Sequence, residues 1–67
     1  MNKATINNGL NMLGGEVRTI LEGKKLSVGD INQVIEYAKH FGYAYVDGVG
    51  KYLIYNAYHG LYHFENK

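Results

Sequence analysis

The chain of 67 residues contains no cysteine. A disulfide framework and a thiolate metal site are therefore excluded, although both are common sources of stability in small folds. This length is close to the lower limit at which a single hydrophobic core suffices, so we expect one globular domain over residues 1–67. Self-association remains available as a further source of stability.

Long apolar runs and a strong net charge are also missing. Hydrophobic residues make up 46% of the chain but alternate with polar ones, and no run approaches the about 20 residues of a membrane span. The net charge is only +1, which gives no strong field to attract nucleic acid or anionic lipid. The first ten residues lack the continuous apolar segment of a secretory signal. We therefore expect a cytoplasmic protein with no membrane partner.

No set of residues with the pattern of a catalytic site is present. Nucleophilic catalysis needs a nucleophile beside a base, and the single serine, Ser27, is predicted to cap a helix. The acidic residues occur singly, so no catalytic pair is expected and the protein is predicted not to be an enzyme. His59 and His63 could converge on a metal only within a helix, whereas Gly60 and the neighbouring aromatic residues favour a turn and a strand. We predict no metal site and no cofactor.

The first two thirds of the sequence have the periodicity of two amphipathic helices. Apolar residues recur at steps of three and four between Ala4 and Leu21, with Thr5 as the candidate N-cap. The pair Gly14-Gly15 either lets another backbone come close or divides this segment into two short helices. Ser27 is predicted to begin a second helix, which Gly42 ends. The predicted buried stripe of that helix comprises Val28, Ile31, Val34, Ile35, Ala38 and Phe41.

After Gly42 the hydrophobic period changes to two, which predicts three antiparallel strands over residues 43–46, 51–56 and 61–64. The first connection fits either a two-residue loop at 48–49, with Gly48 in a type II′ turn, or a four-residue loop at 47–50. Both loops place Val46 opposite Lys51, so the register is the same. The second connection is predicted to place Asn56 opposite Leu61.

This register divides the strand residues between two faces of the sheet. The predicted core face carries Ala44, Val46, Leu53, Tyr55, Tyr62 and Phe64. The predicted partner-binding residues lie on the other face and comprise Tyr43, Tyr45, Tyr52, Ile54 and Leu61, with His63 beside them. The expected architecture is α+β, with two helices packed on a three-stranded antiparallel sheet in the order ααβββ.

A different architecture follows if the first helix divides at Gly14-Gly15. The order of three helices and a hairpin then resembles a winged-helix DNA-binding module over residues 4–55. The resemblance implies that residues 28–41 form the recognition helix and that the first hairpin loop is the tip of the wing. The candidate nucleic-acid contacts are Asn32, Gln33, Lys39 and Lys51. The exposed side of this helix has balanced charge and no arginine, so stacking of single-stranded bases on the sheet tyrosines is the better nucleic-acid hypothesis.

The function expected from the sequence is a non-enzymatic interaction module. A contiguous aromatic face on a small sheet is typical of an interface. Tyrosine suits this role because it combines a large rigid ring with a hydroxyl that tolerates both water and a partner. The expected partner is a larger protein, as for a small phage-type inhibitor or adaptor, or a second copy in a homodimer. A nucleic-acid-binding regulator is the alternative.

Overall fold

The computed structural model describes residues 11–67. Its elements, in chain order, are α1 (Gly14–Gly23), α2 (Val28–Phe41), β1 (Tyr43–Val46), β2 (Lys51–Asn56) and β3 (Leu61–Asn66). The strands form one antiparallel sheet in the order β1-β2-β3, and both helices pack on one of its faces. The predicted α+β fold with the order ααβββ is confirmed. Within residues 11–67, no helix has the length and apolar character needed to cross a membrane.

The first helix begins later than the periodicity predicts. Residues 4–10, which include the candidate cap Thr5, lie outside the described residues. The prediction of helix was wrong for residues 11–13, where Met12 forms an antiparallel bridge with Tyr62 through two N···O contacts of 2.7 Å. The pair Gly14-Gly15 therefore occupies the first turn of α1 rather than its interior. The described residues contain two helices and a third strand, unlike the three helices and hairpin of the winged-helix alternative.

The second helix has the predicted boundaries. The Ser27 hydroxyl oxygen accepts a hydrogen bond from the Asp30 N–H at 3.1 Å, which satisfies one amide of the first turn. Gly42 has a φ of 94°, and its N–H donates to the Ala38 carbonyl at 2.8 Å. This left-handed conformation ends the helix and is one that glycine adopts without steric cost.

The buried stripe of α2 is narrower than predicted. Its central members Ile31 and Ala38 are buried, but Val28 and Phe41 are each 65% exposed. A helix of 14 residues is about 21 Å long, whereas the four residues of β1 span only about 14 Å. The two ends of α2 therefore extend beyond the strand that covers its middle.

Both hairpin loops have four residues and end in a glycine with positive φ whose N–H bonds to the last residue of the preceding strand. In the first loop, the N–H groups of Val49 and Gly50 donate to the Val46 carbonyl at 3.0 and 2.7 Å, and Gly50 has a φ of 79°. The type II′ turn is not formed, because Gly48 is not among the residues with positive φ. Gly48 instead permits close packing, since a Cβ there would lie 2.9 Å from Cδ1 of Leu26.

The second loop repeats this arrangement. The Gly60 N–H donates to the Asn56 carbonyl at 2.7 Å, and Gly60 has a φ of 69°. The Asn56 side-chain oxygen also accepts hydrogen bonds from the N–H groups of Tyr58 and His59, at 3.0 and 3.2 Å. The side chain and backbone of Asn56 together fix the loop geometry, and through it the pairing of β2 with β3.

The predicted strand register is confirmed, with Val46 opposite Lys51 and Asn56 opposite Leu61. Five of the six residues assigned to the core face are buried, and Tyr55 is half-buried. The helices contribute Val17, Leu21, Ile31 and Ala38 to the same cluster. Met12, which the sequence did not place in the core, is also buried there.

We expect Gly60→Ala to destabilise the protein by about 1–2 kcal/mol, because an L-residue is strained in the left-handed conformation. Gly15→Ala is the matched control. An added Cβ at Gly15 meets no heavy atom within 4 Å, and alanine favours the first helical turn. Urea unfolding of both variants measures the difference. Equal stability of the two variants would show that the loop does not hold Gly60 in this conformation.

The pH dependence of stability should report the burial of Tyr62. Burial raises the pKa of the Tyr62 phenol, with smaller contributions from Tyr55 and Glu36. The unfolded chain ionises this phenol near pH 10, before the folded chain does. Its contribution to stability is therefore complete below about pH 10 and is lost as the pH rises toward the folded-state pKa. We expect Tyr62→Phe to lose less unfolding free energy than the wild type between about pH 9 and 11. Parallel losses in urea titrations would contradict the partial desolvation of this phenol in the folded state.

Candidate interaction surface

The outer face of the sheet, opposite the helices, carries the five residues predicted to bind a partner. We call this set the tyrosine face; it comprises Tyr43, Tyr45, Tyr52, Ile54 and Leu61. Tyr43 is 57% exposed and Tyr45 37% exposed. The other three are half-buried. The alternation of side chains along the strands therefore brings all five together on the face that the helices leave open.

The three tyrosine rings of this face contact one another. Tyr52 lies in the middle, with its ring centroid 6.1 Å from that of Tyr43 and 5.2 Å from that of Tyr45. The interplanar angles of 63° and 68° are typical of edge-to-face pairs, each of which contributes about 0.5–1.5 kcal/mol beyond area burial. These contacts therefore restrict the conformational freedom of the three side chains.

Charged side chains border the tyrosine face on the β3 side. The Lys67 ammonium lies 5.3 Å from the Tyr45 ring centroid, within the range of a cation–π interaction. Glu65 is opposite Tyr52 in the sheet, and its carboxylate is 2.8 Å from Nε2 of His63. An aromatic centre with a charged rim is the usual composition of a protein interface. Lys67 was not predicted as part of the site, although it continues the alternation of Leu61, His63 and Glu65.

A second apolar surface lies along the outer edge of β1. We call it the edge groove; it has a volume of about 990 Å³ between β1, α2 and the connection from α1 to α2. Exposed aromatic side chains line it, namely Tyr37, Phe41, Tyr43 and Tyr45. The sequence did not reveal this groove, because Phe41 was assigned to the core. One side of α2, between Asp30 and Phe41, forms its helical wall.

The aromatic residues of α2 in this groove are held by neighbouring side chains. The Tyr37 and Phe41 rings lie edge to face at 5.9 Å, and His40 contacts Phe41 at 4.7 Å in the same geometry. The Gln33 side-chain amide donates to the Tyr37 hydroxyl at 3.1 Å. The wall of the groove is therefore an ordered aromatic cluster on the exposed side of the helix.

The candidate nucleic-acid residues are distributed over two elements. Asn32, Gln33 and Lys39 are exposed on α2. Lys51 is on β2, opposite the buried Val46, and its ammonium donates to the Asn66 side-chain oxygen at 2.7 Å. Lys51 thus belongs to the helix side of the sheet rather than to the tyrosine face, so it adds no positive charge beside the rings.

The two histidines with metal-like spacing lie in different settings. His59 is exposed in the second loop, with its ring 4.8 Å from that of Tyr58. His63 is on β3, paired with Glu65. Among residues 11–67, no group of three or more His, Asp or Glu side chains is arranged to hold a metal ion.

Comparisons with protein-family models, with curated protein sequences and with solved structures give no significant match to this chain.

Proposed function

We propose that this domain is a non-enzymatic protein-interaction module that docks on a larger protein through the tyrosine face. The observation that supports the proposal is the group of three tyrosine rings, packed edge to face on the side of the sheet opposite α1 and α2. Contiguous exposed aromatic surface of this kind is uncommon on monomeric proteins unless it has a partner. Because the rings already contact one another, binding orders few additional rotors.

The chemistry of the face defines the partner that fits it. The centre is aromatic and aliphatic, with Ile54 and Leu61 beside the rings, and offers phenol hydroxyls as its polar groups. The net charge of +1 provides little electrostatic steering. We therefore propose that affinity comes from apolar burial and depends weakly on salt. A protein of this size would act as an adaptor or inhibitor by covering a surface of its partner.

The double substitution Tyr45→Ala with Tyr52→Ala should weaken partner binding at least tenfold, which is about 1.4 kcal/mol, while the domain stays folded. The two rings lie on the outer face and not in the core, so their removal should not unfold the domain. Tyr58→Ala is the matched control, because Tyr58 is 90% exposed in the second loop and lies outside the face. Quantitative capture from a cell extract, with circular dichroism of each variant, measures both effects.

A protein retained by the wild type and by Tyr58→Ala, but lost with the double variant, is the expected result. Equal retention by all three would contradict the proposal, and so would global unfolding of the double variant. Titration with oligonucleotides across salt concentrations tests the nucleic-acid alternative. Measurable affinity with a steep salt dependence would favour that alternative over protein docking.

A further inference from the structure

The outer edge of β1 has backbone groups that face away from the rest of the sheet. The Tyr55 N–H donates to the Gly42 carbonyl at 2.9 Å. Because bonded positions alternate along an antiparallel ladder, every second residue from Gly42 onward is turned toward β2. The N–H and C=O groups of Tyr43 and Tyr45 are therefore turned the other way. Since β1 is the outermost strand, these four groups point into the edge groove.

The two edges of the sheet differ in how they are protected. At the β3 edge, Met12 exchanges two hydrogen bonds with Tyr62, and β3 carries His63 and Glu65. The β1 sequence Tyr-Ala-Tyr-Val has no charge and no proline, the features with which proteins usually prevent strand addition at an edge. The β1 edge is thus suited to pairing with a further strand.

The sequence of β1 is suited to antiparallel pairing with β1 of a second copy. Tyr43-Ala44-Tyr45 reads the same in both directions, so a two-fold axis through Ala44 places each Tyr43 opposite the Tyr45 of the second copy. In this register the outward groups form four hydrogen bonds across the axis. The two Ala44 residues meet in a non-hydrogen-bonded pair, where Cα atoms approach to about 4.5 Å and a small side chain is favourable. Aromatic residues directly opposite each other stabilise the ladder further.

Charge and apolar contact also favour a second copy. The charged side chains of the groove balance, with Lys24 and Lys25 against Asp30 and Asp47, and the chain carries a net charge of only +1. Electrostatic repulsion between two copies is therefore small. Because this register pairs only three residues of each β1 strand, stable association requires more buried surface than the strands alone provide. The exposed aromatic side chains of α2, Tyr37 and Phe41, line the groove along this edge and offer that surface on both copies.

From the outward backbone groups of Tyr43 and Tyr45 and the palindrome around Ala44, we propose that this chain forms a two-fold symmetric homodimer by antiparallel pairing of β1 with β1 of a second copy. The product is a continuous six-stranded sheet. The helices of both copies lie on one face, and the two tyrosine faces join on the other. A two-fold interface of this kind uses the same surface on each subunit.

The proposed dimer goes beyond the docking function, because it uses the edge of the sheet rather than its face. It would enlarge the docking platform by placing the Tyr43, Tyr45 and Tyr52 rings of two copies side by side. Edge pairing does not require that the face have a partner, and docking does not require the dimer. Each proposal can therefore fail without the other.

The test combines sedimentation equilibrium with amide hydrogen exchange of the full chain over a range of protein concentrations. We expect a monomer–dimer equilibrium. Exchange of the Tyr43 and Tyr45 amides should slow as the fraction of dimer rises with protein concentration. The Tyr52 amide is an internal reference, because its position on β2 turns it toward β3 in monomer and dimer alike. It should be protected at every concentration.

A pair of variants isolates the edge hydrogen bond. Tyr45→Ala and Tyr45→Pro lack the same ring, but only proline removes the outward N–H, which an edge strand can lose without breaking its own sheet. We expect the dimer dissociation constant of Tyr45→Pro to exceed that of Tyr45→Ala at least tenfold. Slowed exchange of the Tyr52 amide in both variants verifies that the sheet is intact.

Three results would overturn the proposal. A chain that stays monomeric up to about 1 mM would show that β1 does not pair with β1 of a second copy. A dimer in which Tyr43 and Tyr45 amides exchange as fast as in the monomer uses another surface. Equal dissociation constants for Tyr45→Ala and Tyr45→Pro show that the edge N–H does not take part.

Discussion

The burial of one sheet face beneath two helices is the interaction on which the rest of the structure depends. Phe64, Leu53 and Val46 fill the space against α1 and α2 and are fully buried. Because strand side chains alternate between faces, placing these residues inside also places Tyr45 and Tyr52 outside. The aromatic surface is thus a consequence of how a domain this small builds its core. Within residues 11–67, α1 and α2 cover one face, and the aromatic side chains of the other are exposed or half-buried.

The sheet could be predicted almost completely from the sequence because several local signals agreed. The change of period after Gly42, the β-branched and aromatic residues and the glycine-containing loops all indicated the same strands and register. The helix caps at Ser27 and Gly42 were equally clear, since each depends on a side chain or conformation specific to its residue type. Two details differ: β3 was predicted to end at Phe64 but continues to Asn66, and the loop type, which was left open, is set by the backbone conformation at Gly50.

The errors share a physical origin, which is competition between helical periodicity and contacts distant in sequence. Leu13 continued the apolar spacing of α1, but the backbone of Met12 pairs with Tyr62, and Leu13 is exposed just before the helix. Two glycines in a helix interior would have weakened the longer helix. Phe41 was assigned to the core because spacing along α2 carries no information about the length of the strand beneath it. The edge groove depends on how one side of α2 lies against β1, a contact that spacing along the helix does not describe.

The central claim is that alternation leaves the Tyr43 and Tyr45 rings in solvent while Tyr62 is enclosed. The most direct measurement is the relaxation of tyrosine ring protons by a soluble paramagnetic probe, recorded by NMR on dilute wild-type protein. We expect strong enhancement for the rings of Tyr43 and Tyr45 and little for the ring of Tyr62. Protection of the Tyr43 and Tyr45 rings equal to that of Tyr62 in the monomer would contradict it.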